Sequence, residues 1–230
     1  TPWLYAAGNH DLDFDAPDDA LSLESFRNQF GPDTFAWEEH RANFIVLDDV
    51  VYLPGQKPDY IGGLRESQFA ILAAYLSAAD KSRLLVIAAH IPLLQSGGGR
   101  ETFRAADRKR LFALLAPFRD VLLLTAHSHT QTQFRHGPDS GWFGSGRLYE
   151  YNAGATCGAF WSGLKDAAGI PDSIMSDGTP NGYARLLIGQ GDYRLSWFNA
   201  RQEPNQAMAV HAPKVLRQGA YPGFGMTVNV

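Results

Sequence analysis

The order of elements along this chain predicts an α/β fold with at least partly parallel strands. Three observations carry that reading. Arg83–Ala89 and Val121–Ala126 are continuous apolar runs of strand length. Residues 66–78 and 106–116 are helical in pattern, with Phe69, Leu72, Ala73 and Leu76 at helical spacing in the first of them. After Thr130 the chain changes to short strands punctuated by Gly, Asp and Asn.

Taken in order, Trp3-Leu4-Tyr5-Ala6-Ala7 reads as a buried strand. Ser22 to Phe30 reads as a short helix stopped by Gly31-Pro32. Phe35–Glu39 and Asn43–Leu47 read as two strands joined by a tight turn at His40–Ala42. Gly62-Gly63-Leu64 precedes the helix from Glu66 to about Ala78, and the strand Arg83–Ala89 follows. The helix Ala106–Ala116 ends near Pro117 and leads to the strand Val121–Ala126. Thr132–Arg135, Leu148–Tyr151, Ala184–Gly189 and Tyr193–Phe198 read as antiparallel strands, the last two joined at Gly191-Asp192. Between Ala153 and Gly182 lies a long stretch rich in Gly, Ser, Asp and Pro that carries Phe160 and Trp161. A loop of that length suggests function, and its aromatic residues suggest order. From Arg201 the composition turns to Gln, Pro and Gly, which marks residues 201–230 as an extension or the start of a further domain after a main domain over 1–200.

Bulk numbers exclude a few classes. Hydrophobic content is 45%, ordinary for a globular chain. A formal charge of −4 does not suggest nucleic acid as a partner. The longest basic run is Arg108-Lys109-Arg110, inside a helical pattern. No apolar run approaches the ~20 residues of a membrane span. Cys157 is the only cysteine, so no internal disulfide forms, and no compartment is identified. Periplasmic, secreted and cytoplasmic locations all stay open, as does the oligomeric state.

The histidines carry the chemistry. Gly8-Asn9-His10-Asp11, Ala88-Ala89-His90-Ile91-Pro92 and Thr125-Ala126-His127-Ser128-His129-Thr130 each end an apolar run. Three strands stopping at polar ligand residues build a site at one sheet edge, and neutral imidazole is a common ligand of divalent transition metals. Each segment has a plainer reading when taken alone. Gly, Asn and Asp favour turns, a single histidine after a strand is often structural, and two histidines on an edge strand can be solvated. In an extended segment His127 and His129 share a face. His40, His136 and His211 read as surface or turn residues, and Cys157 as a small buried one.

Together these segments resemble the calcineurin-like metallophosphoesterase superfamily, which shows Gly-Asn-His-Asp, then a strand-terminal His, then Gly-His-x-His. Ala126 stands where that family usually has Gly. The resemblance implies a two-sheet α/β/β/α sandwich and hydrolysis of a phosphate-ester small molecule by metal-bound hydroxide, with no covalent enzyme intermediate. It implies two divalent ions, with Mn, Fe and Zn all suited to such ligands. Asn9, His90 and His127 would hold one ion and His129 the other. His10 would protonate the leaving oxygen, oriented by Asp11. The family's upstream Asp-x-His and Gly-Asp-x-x-Asp motifs have no counterpart in the seven residues before Gly8. The resemblance therefore implies a fold that is N-terminally incomplete as given and a chain that is inactive by itself. Arg100, in the loop after His90, is a candidate for clamping phosphate oxygens, against a solvated surface role. Phe160 and Trp161 are candidates for walls of a substrate pocket, against anchors of their loop. A non-catalytic binding module on this fold, and a metal hydrolase of the amidohydrolase kind, are the alternatives.

Overall fold

The computed structural model of the protein describes residues 3–94, 101–159, 163, 165, 168–171 and 173–200. They fall into two compact units. The first comprises the residues up to His127, Thr132–Asn152 and Ile188–Asp192; the second comprises Ser128–Gln131, Ala153–Leu187 and the residues from Tyr193 on.

The first unit is built on a six-stranded mixed sheet, joined by α1 (Glu24–Phe30), α2 (Glu66–Ala78) and α3 (Ala105–Leu115). Its strands are β1 (Phe35–Glu38), β2 (Ala42–Val46), β5 (Leu84–Ala88), β6 (Asp120–Thr125), β7 (Thr132–His136) and β8 (Arg147–Asn152), in the spatial order β1-β2-β5-β6-β8-β7. The four central strands run parallel, with Phe44 opposite Val86, Val86 opposite Leu122, and Leu122 opposite Tyr149. The edge strands β1 and β7 run antiparallel to their neighbours. β3 (Val50–Tyr52) and β4 (Tyr60–Gly62) form a separate antiparallel pair.

Alternation along the strands explains the core. Leu85 and Ile87, Val121 and Leu123, and Leu148 all join one buried cluster with Phe69, Leu72 and Leu76 of α2 and Leu111, Phe112 and Leu115 of α3. Successive strand residues point to opposite faces, so Phe44, Val86 and Leu122 belong to the other face. There Trp37 stacks on Phe44, ring centroids 4.8 Å apart. Beside α2, Arg65 lies among three aspartates: Asp48 at 2.7 Å, Asp33 at 3.3 Å and Asp19 at 3.4 Å. Burial pushes the Asp48 carboxyl up to about 6, although the Arg65 charge pulls the other way.

β9 (Gly182–Ile188) and β10 (Tyr193–Asn199) form a two-stranded sheet. The predicted turn joins them, with the Gly189 N–H donating to the Asp192 carbonyl at 2.8 Å and Gly191 at φ 75°. The mixed α/β architecture, with a multi-strand sheet and smaller sheets beside it, agrees with the predicted class.

Several expectations need correction. Residues 3–7 form no strand, and Trp3 is 79% exposed. A strand needs a ladder partner, and no described strand pairs with this run. β8 is antiparallel only to β7 and runs parallel to β6, because alternation reports which face a residue takes and not strand direction. β3 and β4, three residues each, are too short to show a period. His136 is buried, its Nε2 2.8 Å from Glu150 Oε2, rather than a surface or turn residue. It sits on the core-facing side of β7, where Phe112 and Phe134 pack edge-on against it. Cys157 is exposed, not buried. His211 and the tail 201–230 lie outside the described residues.

Candidate functional site

Parallel strands end together, so the residues that follow β5 and β6 meet at one edge of the sheet. That edge is where open α/β sheets bind ligands. His90 and His127 lie there, each two residues past its strand. Asn9 joins them from a short 3-10 turn, Asn9–Asp11.

The three side chains converge on one point. His90 Nε2 lies 2.8 Å from Asn9 Oδ1 and 3.1 Å from His127 Nδ1, and His127 Nδ1 lies 3.0 Å from Asn9 Oδ1. No placement of hydrogens on neutral rings satisfies all three contacts. Each ring nitrogen is either a donor or an acceptor, the amide oxygen only accepts, and an amide turned the other way only donates. Three mutually adjacent atoms cannot alternate between two roles. A cation at the centre removes the conflict by accepting a lone pair from each. Ligand atoms ~2.0–2.1 Å from one ion and at right angles lie roughly 3 Å from one another, the separation observed here. These residues therefore fit a divalent ion. Among the described residues no three His, Cys, Asp or Glu side chains gather in this way, so the trio owes its third member to an amide.

The backbone around the trio is held by residues that the sequence reading missed. Asp49, buried just beyond β2, accepts the backbone N–H of His90 at 2.9 Å and that of Ile91 at 3.0 Å and 3.1 Å. Burial raises its carboxyl well above the ordinary range, with the two N–H donors pulling it back. Asn152, at the end of β8, donates from Nδ2 to the carbonyl of Ala126 at 2.6 Å, one residue before His127. Glu150 accepts the Leu93 N–H at 3.0 Å and the Thr125 hydroxyl at 3.2 Å, bracing the segments beside both histidines. Gly8 packs directly under the His90 ring, where an added Cβ would stand 2.9 Å from Cε1 and Nδ1. One signal was available for Asp49: like His90 and His127, it stands close to where an apolar run, Phe44–Leu47, ends.

His127 and His129 adopt φ of 65° and 53°. The expectation that they share a face of an extended segment fails on this point, because both sit in the left-handed region. Non-glycine residues adopt that region at a cost, and histidine is among those enriched there. Within the second unit, the His129 carbonyl accepts the Ser176 N–H at 2.9 Å, and the Asp177 carboxylate accepts the Gln131 N–H at 2.6 Å. The turn at Ser128–Gln131 is thus bound to part of the long 153–182 stretch. His10 and Asp11 are exposed beside Asn9. Asp11 accepts the Gly8 N–H at 2.8 Å, closing the turn, and no hydrogen bond joins it to His10 among the described residues. Tyr60 lies edge-on to His127 at 5.9 Å between ring centroids, and burial raises its phenol. Arg100, Phe160 and Trp161 lie outside the described residues.

The fold is mixed α/β, with imidazole and amide groups gathered where its parallel strands end. A family comparison supports the resemblance from the other end of the chain. Residues 150–230 match the model of a family described as the C terminal of Calcineurin-like phosphoesterase. The match begins after Gly8–Asp11, His90 and His127–His129, so it supports the same superfamily from a separate stretch of sequence. The match covers about the last third of the chain and supports its resemblance to the calcineurin-like phosphoesterases, a family that generally uses divalent metals. No curated protein matches the chain. No helix among the described residues is long and apolar enough to cross a membrane.

Proposed function

We propose that this chain carries part of the active centre of a metal-dependent phosphoesterase acting on a small phosphate ester. The observation that supports this most is the triangle of Asn9, His90 and His127, whose conflicting hydrogen-bond demands a divalent cation would resolve. Asn9 Oδ1, His90 Nε2 and His127 Nδ1 would hold one ion, and His129 is assigned by family resemblance to a second; Mn, Fe and Zn all suit such donors. When bound, divalent ions polarise a phosphoryl group and supply a strong nucleophile from water near neutral pH. The chain's own residues perform the remaining work. His10, exposed beside Asn9, is assigned by family resemblance to deliver a proton to the leaving oxygen. Asp49, Asn152 and Glu150 fix the backbone on which the histidine ligands ride. Asp11 stabilises the turn that presents Asn9 and His10. Arg100 is assigned to phosphate oxygens, and Phe160 and Trp161, in the 153–182 stretch, to the choice of ester.

The test measures metal and turnover together. The chain in its natural polypeptide is assayed for metal content and for hydrolysis of aryl phosphate monoesters and diesters, before and after chelation. The proposal expects activity that chelation abolishes and added divalent ion restores. Undiminished hydrolysis by metal-free protein would overturn it.

A further inference from the structure

The basic run Arg108-Lys109-Arg110 has no part in the site described above, yet two of its members line the wall of a cavity. The cavity has a volume of about 450 Å³ and lies between one face of α3 and the Ser140–Gly144 segment. That volume is in the range of small-molecule sites. Phe112 and Phe143 supply its aromatic walls, Ala113 and Ala116 its small ones, and among the described residues no carboxylate lines it. Ala105 to Ala116 extends along α3 for roughly 16 Å at ~1.5 Å per residue, so the cavity follows the helix as a groove.

Two features point to an anion. Arg104 pairs with Asp107 and Arg110 pairs with Glu66, so the neighbouring cations of this helix are matched. Arg108 and Lys109, the two that line the cavity, have no carboxylate partner among the described residues. Arg108 is also held in place, since one of its nitrogens donates to the Leu93 carbonyl at 3.0 Å. A cation fixed before binding loses little freedom on meeting its ligand. The second feature is Phe143, which is 79% exposed at the mouth of the groove. A large ring held in water gains by covering an apolar ligand.

We infer that this groove binds a small aromatic carboxylate, its ring between Phe112 and Phe143 and its charge on Lys109 and Arg108. The Arg108–Leu93 bond connects the groove to the turn that carries His90, but the proposal concerns binding and does not depend on the phosphoesterase reading. The test titrates 2-naphthoate and the uncharged 2-naphthamide into the full chain by calorimetry, with melting curves and sedimentation alongside. The expected result is saturable 1:1 binding of naphthoate and binding of the amide weaker by at least about tenfold, as loss of a charge-assisted contact requires. Lys109→Glu should weaken naphthoate by at least about tenfold, and Ala113→Trp, which fills the groove from an exposed helix position, should abolish binding, both with melting near that of the parent. Equal affinity for the amide would overturn the anion assignment. Naphthoate binding unchanged by Ala113→Trp, or no saturable binding at all, would overturn the site. If Ala113→Trp dissociated a dimer instead, the face would be a contact between two copies and the ligand assignment would fall.

Discussion

Gly8→Ala is the most direct probe of the candidate centre, because it adds one methyl group and changes nothing else in the chemistry. Gly8 has φ −122°, which any residue adopts, so the backbone itself is not strained by alanine. The new Cβ would lie 2.9 Å from His90 Cε1 and Nδ1. Carbon atoms in contact settle at ~3.5–4.0 Å, so the ring must retreat by roughly 0.6–1 Å. Metal–ligand distances are held to about ±0.2 Å, so this retreat takes His90 Nε2 out of reach of an ion shared with Asn9 and His127. The expected fall in affinity for Mn²⁺ or Zn²⁺ is at least ~10–100-fold, the range seen when only outer partners of a ligand are disturbed. Overpacking should also lower stability by ~1–3 kcal/mol. Calorimetric titration of metal into both proteins reads the first effect, and urea unfolding of metal-free protein reads the second. Gly31→Ala is the control. Gly31 has φ 93° and ψ −158°, a region close to exclusive to glycine, yet a Cβ there would meet nothing within 4 Å. It should cost ~1–3 kcal/mol of stability and leave metal affinity alone. If Gly8→Ala bound metal as tightly as the parent, the trio would not be a metal site.

Three further outcomes are expected. His10→Ala should lower turnover of the natural polypeptide by ~10²–10⁴-fold with metal content retained, whereas His90→Ala should lose metal; equal loss of metal in both would assign His10 wrongly. Asp48 is protonated in the folded protein up to about pH 6, against 3.8 for a free carboxyl, so its stabilisation is full below pH ~4 and is lost as pH rises through 6. About two units correspond to ~3 kcal/mol, so urea midpoints from pH 4 to 7 should fall in the parent relative to Asp48→Asn, and parallel slopes would refute the assignment. Asp49→Ala leaves the His90 and Ile91 N–H groups without their acceptor in a buried position, at ~1–3 kcal/mol each; an unfolding free energy within 1 kcal/mol of the parent would show that water replaces the carboxylate.

Much of the fold is legible in the sequence because its signals are local. Phe69, Leu72 and Leu76 at helical spacing, and the apolar runs ending at His90 and His127, define α2, β5 and β6 to within a residue or two. The donor trio is legible for the same reason, as ligand types recur where apolar runs stop. What is not legible depends on partners distant in sequence. Nothing near His136 announces Glu150, fourteen residues on, and an imidazole with an exposed local context reads as surface. Trp3–Ala7 has a strand's composition, but a strand also needs a neighbour, which composition does not report. Gly8 reads as a turn former, whereas its tightest constraint is the ring of His90, eighty-two positions away. The left-handed backbone at His127 and His129 is invisible to any period.

A sheet edge of parallel strand ends sorts its polar residues into two roles, and the destination of their polar atoms distinguishes them. Asp49 accepts backbone N–H groups, Asn152 donates to a backbone carbonyl, and Glu150 accepts a backbone N–H and a hydroxyl and pairs with the His136 ring, all contacts in which donor meets acceptor. Burying them is costly in isolation, and those bonds offset the cost while fixing the loops that carry His90 and His127. Asn9, His90 and His127 direct theirs at one another, in a set that no arrangement of hydrogens can satisfy. The conflict among these three contacts therefore lies at one point, beside supports whose own contacts are matched. Under the proposed function, a cation entering at that point would resolve the conflict, and the supports already fix the backbone that would present its ligands.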